Sequence, residues 1–263
     1  QMDQVSIPWR ELRDLVLATA CEGEAAREAQ AMLGKWDGDV SPDSAAASVF
    51  ELFVAELFAR TVEVKAPRSS AWLMGKGFST VLPYTLLIAR RTGLLSRVLR
   101  ESPERWFGDR WPGVVEEAFG VAVAALRTKY GRDHSLWAWG RIRSLTLRHP
   151  AGRGRFLGRV FNLGPFPWGG DENTVAQAAT NPFDPTANPL ATASLRMAVD
   201  VGNWGDSRFS LPGGQSGNPA SPHYDDLLPL WRRGDGVPIA WSPADVGKAE
   251  RSSLRLVPGR GGT

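Results

Sequence analysis

The sequence predicts an α+β protein in which a mainly helical region, residues 1–133, precedes a region of strands and long loops, residues 134–263. Before Asp133, apolar residues recur at helical spacing in four stretches. After it, tryptophan, glycine and proline become frequent and the helical period disappears. Two short runs in the second half, Ile142 to Leu147 and Leu195 to Val201, alternate apolar and polar residues at the period of a strand.

Each element follows from a local pattern. From Trp9 to Leu33, the apolar Leu12, Leu15, Leu17, Met32 and Leu33 lie among acids, arginines and alanines, which suits an amphipathic helix broken near Gly23. The stretch Gly34 to Gly38 closes that unit. Ser41-Pro42-Asp43 opens a second helix with Ser41 or Asp43 as its cap, and Val49, Phe50, Phe53, Leu57 and Phe58 form an apolar face central to packing. A third helix spans Leu82 to Leu99 and carries Leu86, Leu87, Ile88, Leu94, Leu95 and Leu99. A fourth runs from about Pro112 to Tyr130, with proline near its start and Gly131 just past its end.

In the second half, Ile142, Leu145 and Leu147 oppose Arg143, Thr146 and Arg148 on a half-exposed strand. In the next strand Met197, Val199 and Val201 oppose Arg196, Ala198 and Asp200, and Ser207 to Leu211 is its hairpin partner through Gly202 to Asp206. A short helix, Tyr224 to Trp231, ends at Gly234. Ser253 to Val257 reads as a last strand and the tail GRGGT as disordered. Between the first two strands, Phe161 to Asn188 is long and irregular, and loops of that length inside a domain are usually functional.

The totals exclude several classes. A chain of 263 residues can form one large domain or two small ones, and it need not be whole. With 43% hydrophobic and 22% charged residues, and no apolar run as long as a bilayer is thick, a membrane-embedded protein is not expected. The net charge of +3 comes from scattered arginines balanced by nearby acids, so no nucleic-acid stripe stands out. The lone Cys21 excludes a disulfide framework, and His134, His149 and His223 have no partner at i+4, so no metal site is expected in this chain. The sequence starts at Gln1 rather than methionine, which suggests a piece of something longer.

LPGGQSGNPASPHYDD, from Leu211 to Asp226, contains the residue types of a hydrolytic triad in Ser216, His223 and Asp225. A nucleophile elbow needs glycine where Asn218 stands and a helix behind the serine, whereas Pro219 and Pro222 follow. The segment therefore reads as a loop with an architectural Ser216, and a serine hydrolase using Ser216, His223 and Asp225 stays as one alternative.

The order of five motifs is more specific than any one of them. KWDGDVSPDSAAASVFELF, LTLRHPAG, GPFPWGGDENTV, LRMAVDVGNW and LPGGQSGNPASPHYDDLLPLW together resemble the C-terminal part of the penicillin acylase (penicillin amidase) family, weakly over residues 1–35 and strongly from His149 to Trp231. The resemblance implies part of an N-terminal nucleophile hydrolase, an αββα sandwich of two stacked sheets between helical layers. It also implies a catalytic serine upstream of Gln1, freed by self-cleavage and using its own α-amino group as base. By this resemblance the chain is the C-terminal part of the catalytic β-chain and inactive alone. Its implied partners are the α-chain and the N-terminal part of the β-chain, and its substrate a small N-acyl compound such as a penicillin or an acyl-homoserine lactone. Upstream residues would hold a structural calcium, this chain would hold no cofactor, and the family points to the periplasm or the cell exterior. A non-catalytic interaction module is the remaining alternative.

The same resemblance nominates residues. Glu172 and Asn173 in WGGDENTV would orient the nucleophile's amine or its water, with the alternative that Asp171 or Asn173 only closes an Asx-turn. His149 would end a strand near the site, and Arg143 stands where the family often has a second histidine. Phe166 and Trp168 would face an apolar acyl group from an irregular loop. Gly213, Gly214, Gln215, Ser216, Gly217, His223 and Tyr224 would form a structural glycine turn, the glycines supplying backbone angles that other residues resist, with His223 and Tyr224 anchoring the helix behind it.

Overall fold

The structure is a computed structural model and describes residues 4–82, 84–85, 91–101 and 103–257. It is α+β, as the sequence predicts, and divides into two compact units that meet in sequence between Ala193 and Ser194.

The first unit begins with α1 (Ile7–Ala18), α2 (Glu24–Gly34) and α3 (Ala45–Lys65). Helix α3 is apolar around most of its circumference up to Phe58, and such a stretch is stable only when it is surrounded. Phe50, Phe53 and Leu57 are accordingly fully buried. Trp9 of α1 meets Phe50 edge-on at 5.3 Å, and Phe53 meets Phe119 at 5.8 Å. The cap differs from expectation: Ser44 Oγ accepts from Ala47 N at 3.1 Å. Ser41-Pro42-Asp43 instead forms the turn before the cap, closed by Ser44 N to Ser41 O at 3.1 Å.

After α3 come α4 (Ser70–Leu73), α5 (Arg91–Glu101), α6 (Pro103–Phe107) and α7 (Trp111–Tyr130). Leu86, Leu87 and Ile88 lie outside the described residues, whereas Leu95 and Leu99 of α5 are buried. Helix α7 ends with Gly131 at φ 85°, a left-handed angle that only glycine adopts freely. The short α8 (Trp139–Ile142) lies against the start of α3, with Gly140 N donating to Pro42 O at 2.7 Å. A Cβ on Gly140 would sit 2.7 Å from Pro42 Cβ, so only glycine allows this approach.

Strand β1 (Ser144–Leu147) then pairs antiparallel with β2 (Leu163–Pro167) across α9 (Arg155–Phe161). The segment expected to be irregular from Phe161 therefore contains a strand. Arg143, expected on the exposed face of the first strand, is fully buried just before it.

The second unit holds β3 (Arg196–Ala198), β4 (Arg208–Ser210) and β5 (Val237–Pro238) in one antiparallel sheet of that order, with α10 (Leu228–Arg233) and α11 (Pro243–Ala249). Its hairpin is the one expected, but burial does not follow the expected faces, and Ala198 and Asp200 on the other side are exposed too. Arg196 points inward while Leu195, Met197, Val199 and Val201 are exposed. Arg196 is held by Trp231: a guanidinium nitrogen donates to the carbonyl at 2.6 Å and the group lies 4.7 Å from the ring centroid. Helix α10 starts at Leu228, four residues later than expected. Residues 252–257 form no strand, with Leu254 and Leu256 exposed, and residues 259–263 lie outside the described part. Among the described residues no helix is long and apolar enough to cross a membrane.

Truncating Phe53, at the centre of the helical core, should leave a cavity that the rigid surroundings cannot close. Phe53→Ala is expected to lower the unfolding free energy by about 3–5 kcal/mol, read from the urea midpoint, while Ser44→Ala should cost about 1 kcal/mol through loss of the cap.

Candidate functional site

The turn Gly169 to Thr174, which contains Glu172 and Asn173, is fixed by its own backbone before any charge is counted. Gly170 adopts φ 75°, and a Cβ there would collide with Ala176 O. Gly170 N donates to Val40 O at 2.8 Å, and Ala178 N donates to Asp171 O at 2.8 Å. Asp171 Oδ1 accepts from Asn173 N at 2.6 Å, the Asx-turn that the sequence left as an alternative. Asp171 N donates to Thr174 Oγ1 at 3.0 Å, closing the loop.

Buried charges surround this turn. Arg143 donates to Gly170 O at 3.2 Å, to Ala178 O at 2.9 Å and to Thr180 Oγ1 at 3.4 Å, and its guanidinium lies 4.6 Å from the Trp139 ring centroid. Thr180 Oγ1 in turn donates to Glu51 Oε2 at 3.3 Å. Glu172 receives Arg91 Nε at 2.9 Å and Thr92 Oγ1 at 3.0 Å on one oxygen, and Thr180 N at 3.3 Å on the other. Residues from α3, α5, the start of β1 and the turn thus meet at one point.

Their protonation follows from charge balance. Two guanidinium groups, Arg91 and Arg143, face three carboxyls, Glu51, Asp171 and Glu172. Full ionisation would leave a net negative charge in the interior, which is strongly disfavoured. Burial, followed by the Asp171 and Glu172 charges, raises the Glu51 pKa well above 4.5. Burial and then Glu172 also raise Asp171. Burial acts to raise Glu172 too, but the charge and hydrogen bond of Arg91 outweigh it and leave Glu172 lowered. Burial pushes Arg143 down to about 10 against the pull of the three carboxyls, so it stays charged near neutrality. The buried Asp171 carboxyl lies close enough to oppose ionisation of Glu51, so a proton on Glu51 relieves the pair. Asp171 Oδ2 is buried with no hydrogen-bond partner among the described residues.

The other nominated residues lie elsewhere. His149 stacks on Phe161 at 5.1 Å, and its Nδ1 accepts from Ala151 N at 3.1 Å, so it serves the loop after β1. Phe166 is in β2 opposite Leu145, and Trp168 is buried just behind that strand, so neither rides on the irregular loop expected for them. Neither lines the cavity of about 800 Å³ beside α3 and α5, whose wall includes Asn173 and Arg91.

In the second unit, Ser216 N donates to His223 O at 3.0 Å and Leu227 N to Gly213 O at 2.9 Å, closing the glycine turn. A Cβ on Gly214 would strike His223 O, and Gly213 has φ 144°. Gly217 has neither positive φ nor a close neighbour, so its expected conformational role is not met. Gln215 is exposed. Ser216 Oγ accepts from Asn218 N at 3.1 Å, and His223 Nδ1 meets Asp226 at 2.8 Å rather than Asp225. The constellation Ser216, His223 and Asp225 is not assembled as a triad. Asp226, with His223, holds the entry to α10, while Tyr224 N donates to Ser221 O at 3.1 Å in the turn before it.

Sequence reasoning missed Glu51, Arg91, Arg143 and Thr180. The signals were a lone acid inside the apolar run VFELF and an arginine following Trp139 and Ile142.

Because the folded protein keeps the Glu51 proton above 4.5 while the unfolded chain releases it, stability falls as pH rises from 4.5 toward the folded-state pKa. Glu172 acts in the opposite sense, losing its contribution as pH drops below 4.5 through its lowered pKa. Glu51→Gln, which is uncharged at every pH, should flatten the fall above pH 4.5, read as thermal midpoint against pH. Glu172→Ala leaves Arg91 buried without its carboxylate and should cost about 3–5 kcal/mol.

Comparison with known proteins identifies the family. The penicillin amidase family model matches residues 1–248. The acyl-homoserine lactone acylase QuiP of Pseudomonas putida is 33% identical over 254 residues, covering 92% of this chain and 30% of the relative. The penicillin acylase 2 proenzyme of Pseudomonas sp. (strain SE83) is 32% identical over 260 residues, covering 97% and 30%. The chain thus spans about 30% of the length of the curated relatives it matches. In fold it is similar to the thermostable penicillin G acylase from Alcaligenes faecalis, with a TM-score of 0.52 and 18% identity over 99% of this chain and 48% of that one. The chain belongs to the penicillin amidase family.

Proposed function

We propose that these residues are the C-terminal part of an amidohydrolase that cleaves the linear amide bond of an N-acyl compound, acyl-homoserine lactones first and penicillins second. The observation that carries this reading is the family match over residues 1–248 together with relatives named as acylases of both kinds. The nucleophile is a serine outside this chain, at the N-terminus of a chain released from a precursor, and its α-amino group serves as base. A relative named as a proenzyme supports the precursor step. The α-chain and the N-terminal part of the β-chain complete the enzyme, and residues outside this chain hold a structural calcium. The exposed row Leu195, Met197, Val199 and Val201 supports a covering segment of that kind, since contiguous apolar faces are usually buried against something.

In this reading the charge cluster sets the position of the turn, and the Asn173 side chain is offered to the nucleophile's amine or its water. Among the described residues the Asn173 amide makes no side-chain hydrogen bond, which leaves it available.

The test is hydrolysis by the full-length polypeptide, followed as release of homoserine lactone and of 6-aminopenicillanic acid, with N-terminal sequencing of the processed chains. A chain beginning with serine, and activity lost when that serine is replaced by alanine, are expected. Asn173→Ala should lower kcat about a hundredfold, the order seen when a positioning contact is lost, with little change in KM. Activity that survives loss of the N-terminal serine contradicts the reading, and so does a full-length protein that hydrolyses neither substrate class.

A further inference from the structure

The cavity of about 800 Å³ within the first unit has a composition that points to a ligand. Its size falls in the range of about 300–1,000 Å³ typical of small-molecule sites. Phe58, Val62, Leu73, Leu94 and Trp106 supply apolar wall. Among the described residues the charged groups lining the cavity are Lys65, Arg91 and Arg97, with no carboxylate.

The three cations are in different states. Lys65 is occupied, its Nζ lying 5.9 Å from the Trp106 ring centroid and 5.8 Å from that of Phe107. Arg91 is buried to 3% side-chain exposure and uses Nε and one terminal nitrogen on Glu172, while its other terminal nitrogen is buried with no partner. An unpaired buried donor is destabilising, and an acceptor supplied by a ligand relieves that penalty. Arg97 is exposed and makes no ion pair among the described residues. The cavity therefore joins apolar walls to one unsatisfied guanidinium nitrogen and one uncompensated positive charge.

We propose that this cavity binds a medium-chain carboxylate, its alkyl chain against Phe58, Val62, Leu73 and Trp106 and its carboxylate on Arg91 and Arg97. Charge selects the head group, because an alkylammonium would meet only like charges. Apolar burial selects the tail. The proposal does not rest on the amidohydrolase reading, which is tested by hydrolysis rather than by binding.

Titration calorimetry of the purified full-length protein with hexanoate, octanoate, decanoate and decylammonium tests this. Affinity should rise about fourfold for each added methylene, from about 0.8 kcal/mol per buried CH₂. Decanoate should bind at least tenfold more tightly than decylammonium. Arg97→Glu should weaken decanoate about tenfold, and Thr61→Trp, which fills the cavity, should abolish binding. If Thr61→Trp fails to fold by circular dichroism, Leu94→Glu at the exposed rim replaces it and should weaken decanoate in the same direction. Equal affinity for the two head groups, decanoate binding unchanged in the folded variants, or no binding at all would each overturn the proposal.

Discussion

Burial of charge is the constraint on which the first unit depends. A lone guanidinium or carboxylate in a protein interior costs several kcal/mol even after relaxation, so Arg91, Arg143, Glu51, Asp171 and Glu172 can be buried only together. Their partners come from α3, α5, the residue before β1 and the Gly169 to Thr174 turn. Displacing any of these segments strands a charge. The cluster thereby ties the helical core to the loops that follow it, which apolar packing alone would leave with several near-equivalent arrangements.

The tie extends to the turn itself. Gly170 O accepts from both Arg143 and Trp139 Nε1, the latter at 3.2 Å, so its carbonyl direction is set by two rigid side chains. Asp171 and Glu172 then face opposite demands. Burial raises the Asp171 pKa, whereas Arg91 outweighs burial at Glu172 and lowers its pKa. The result is a turn with little freedom, which places Asn173 at the wall of an apolar cavity. In the proposed function, a positioning contact made from such a turn keeps its geometry without spending binding energy on ordering.

Part of this was legible in the sequence. The helices α1, α2, α3 and α7 announce themselves because their burial is carried by apolar side chains at regular spacing, and Gly131 marks an end that its left-handed angle requires. The strand faces were misread for one reason in both cases. Arg143 and Arg196 have apolar stems and heads that find carbonyls and a tryptophan ring, so alternation of polar and apolar residues places them outside while the fold places them inside. β2 was missed because Gly164, Pro165 and Pro167 look like loop residues. The Glu172-Asn173 turn was visible through family resemblance only, and its partners Glu51 and Arg91 lie 121 and 81 residues away, a pairing that no local pattern encodes.

The central claim is that one proton, held by Glu51, neutralises the cluster. Infrared difference spectroscopy between the wild type and Glu51→Gln, at neutral pH in the purified protein, reads it directly. A buried carboxylic-acid carbonyl band present in the wild type and absent from the variant is the predicted result. A difference spectrum showing only the loss of an ionised carboxylate at that position would contradict the account.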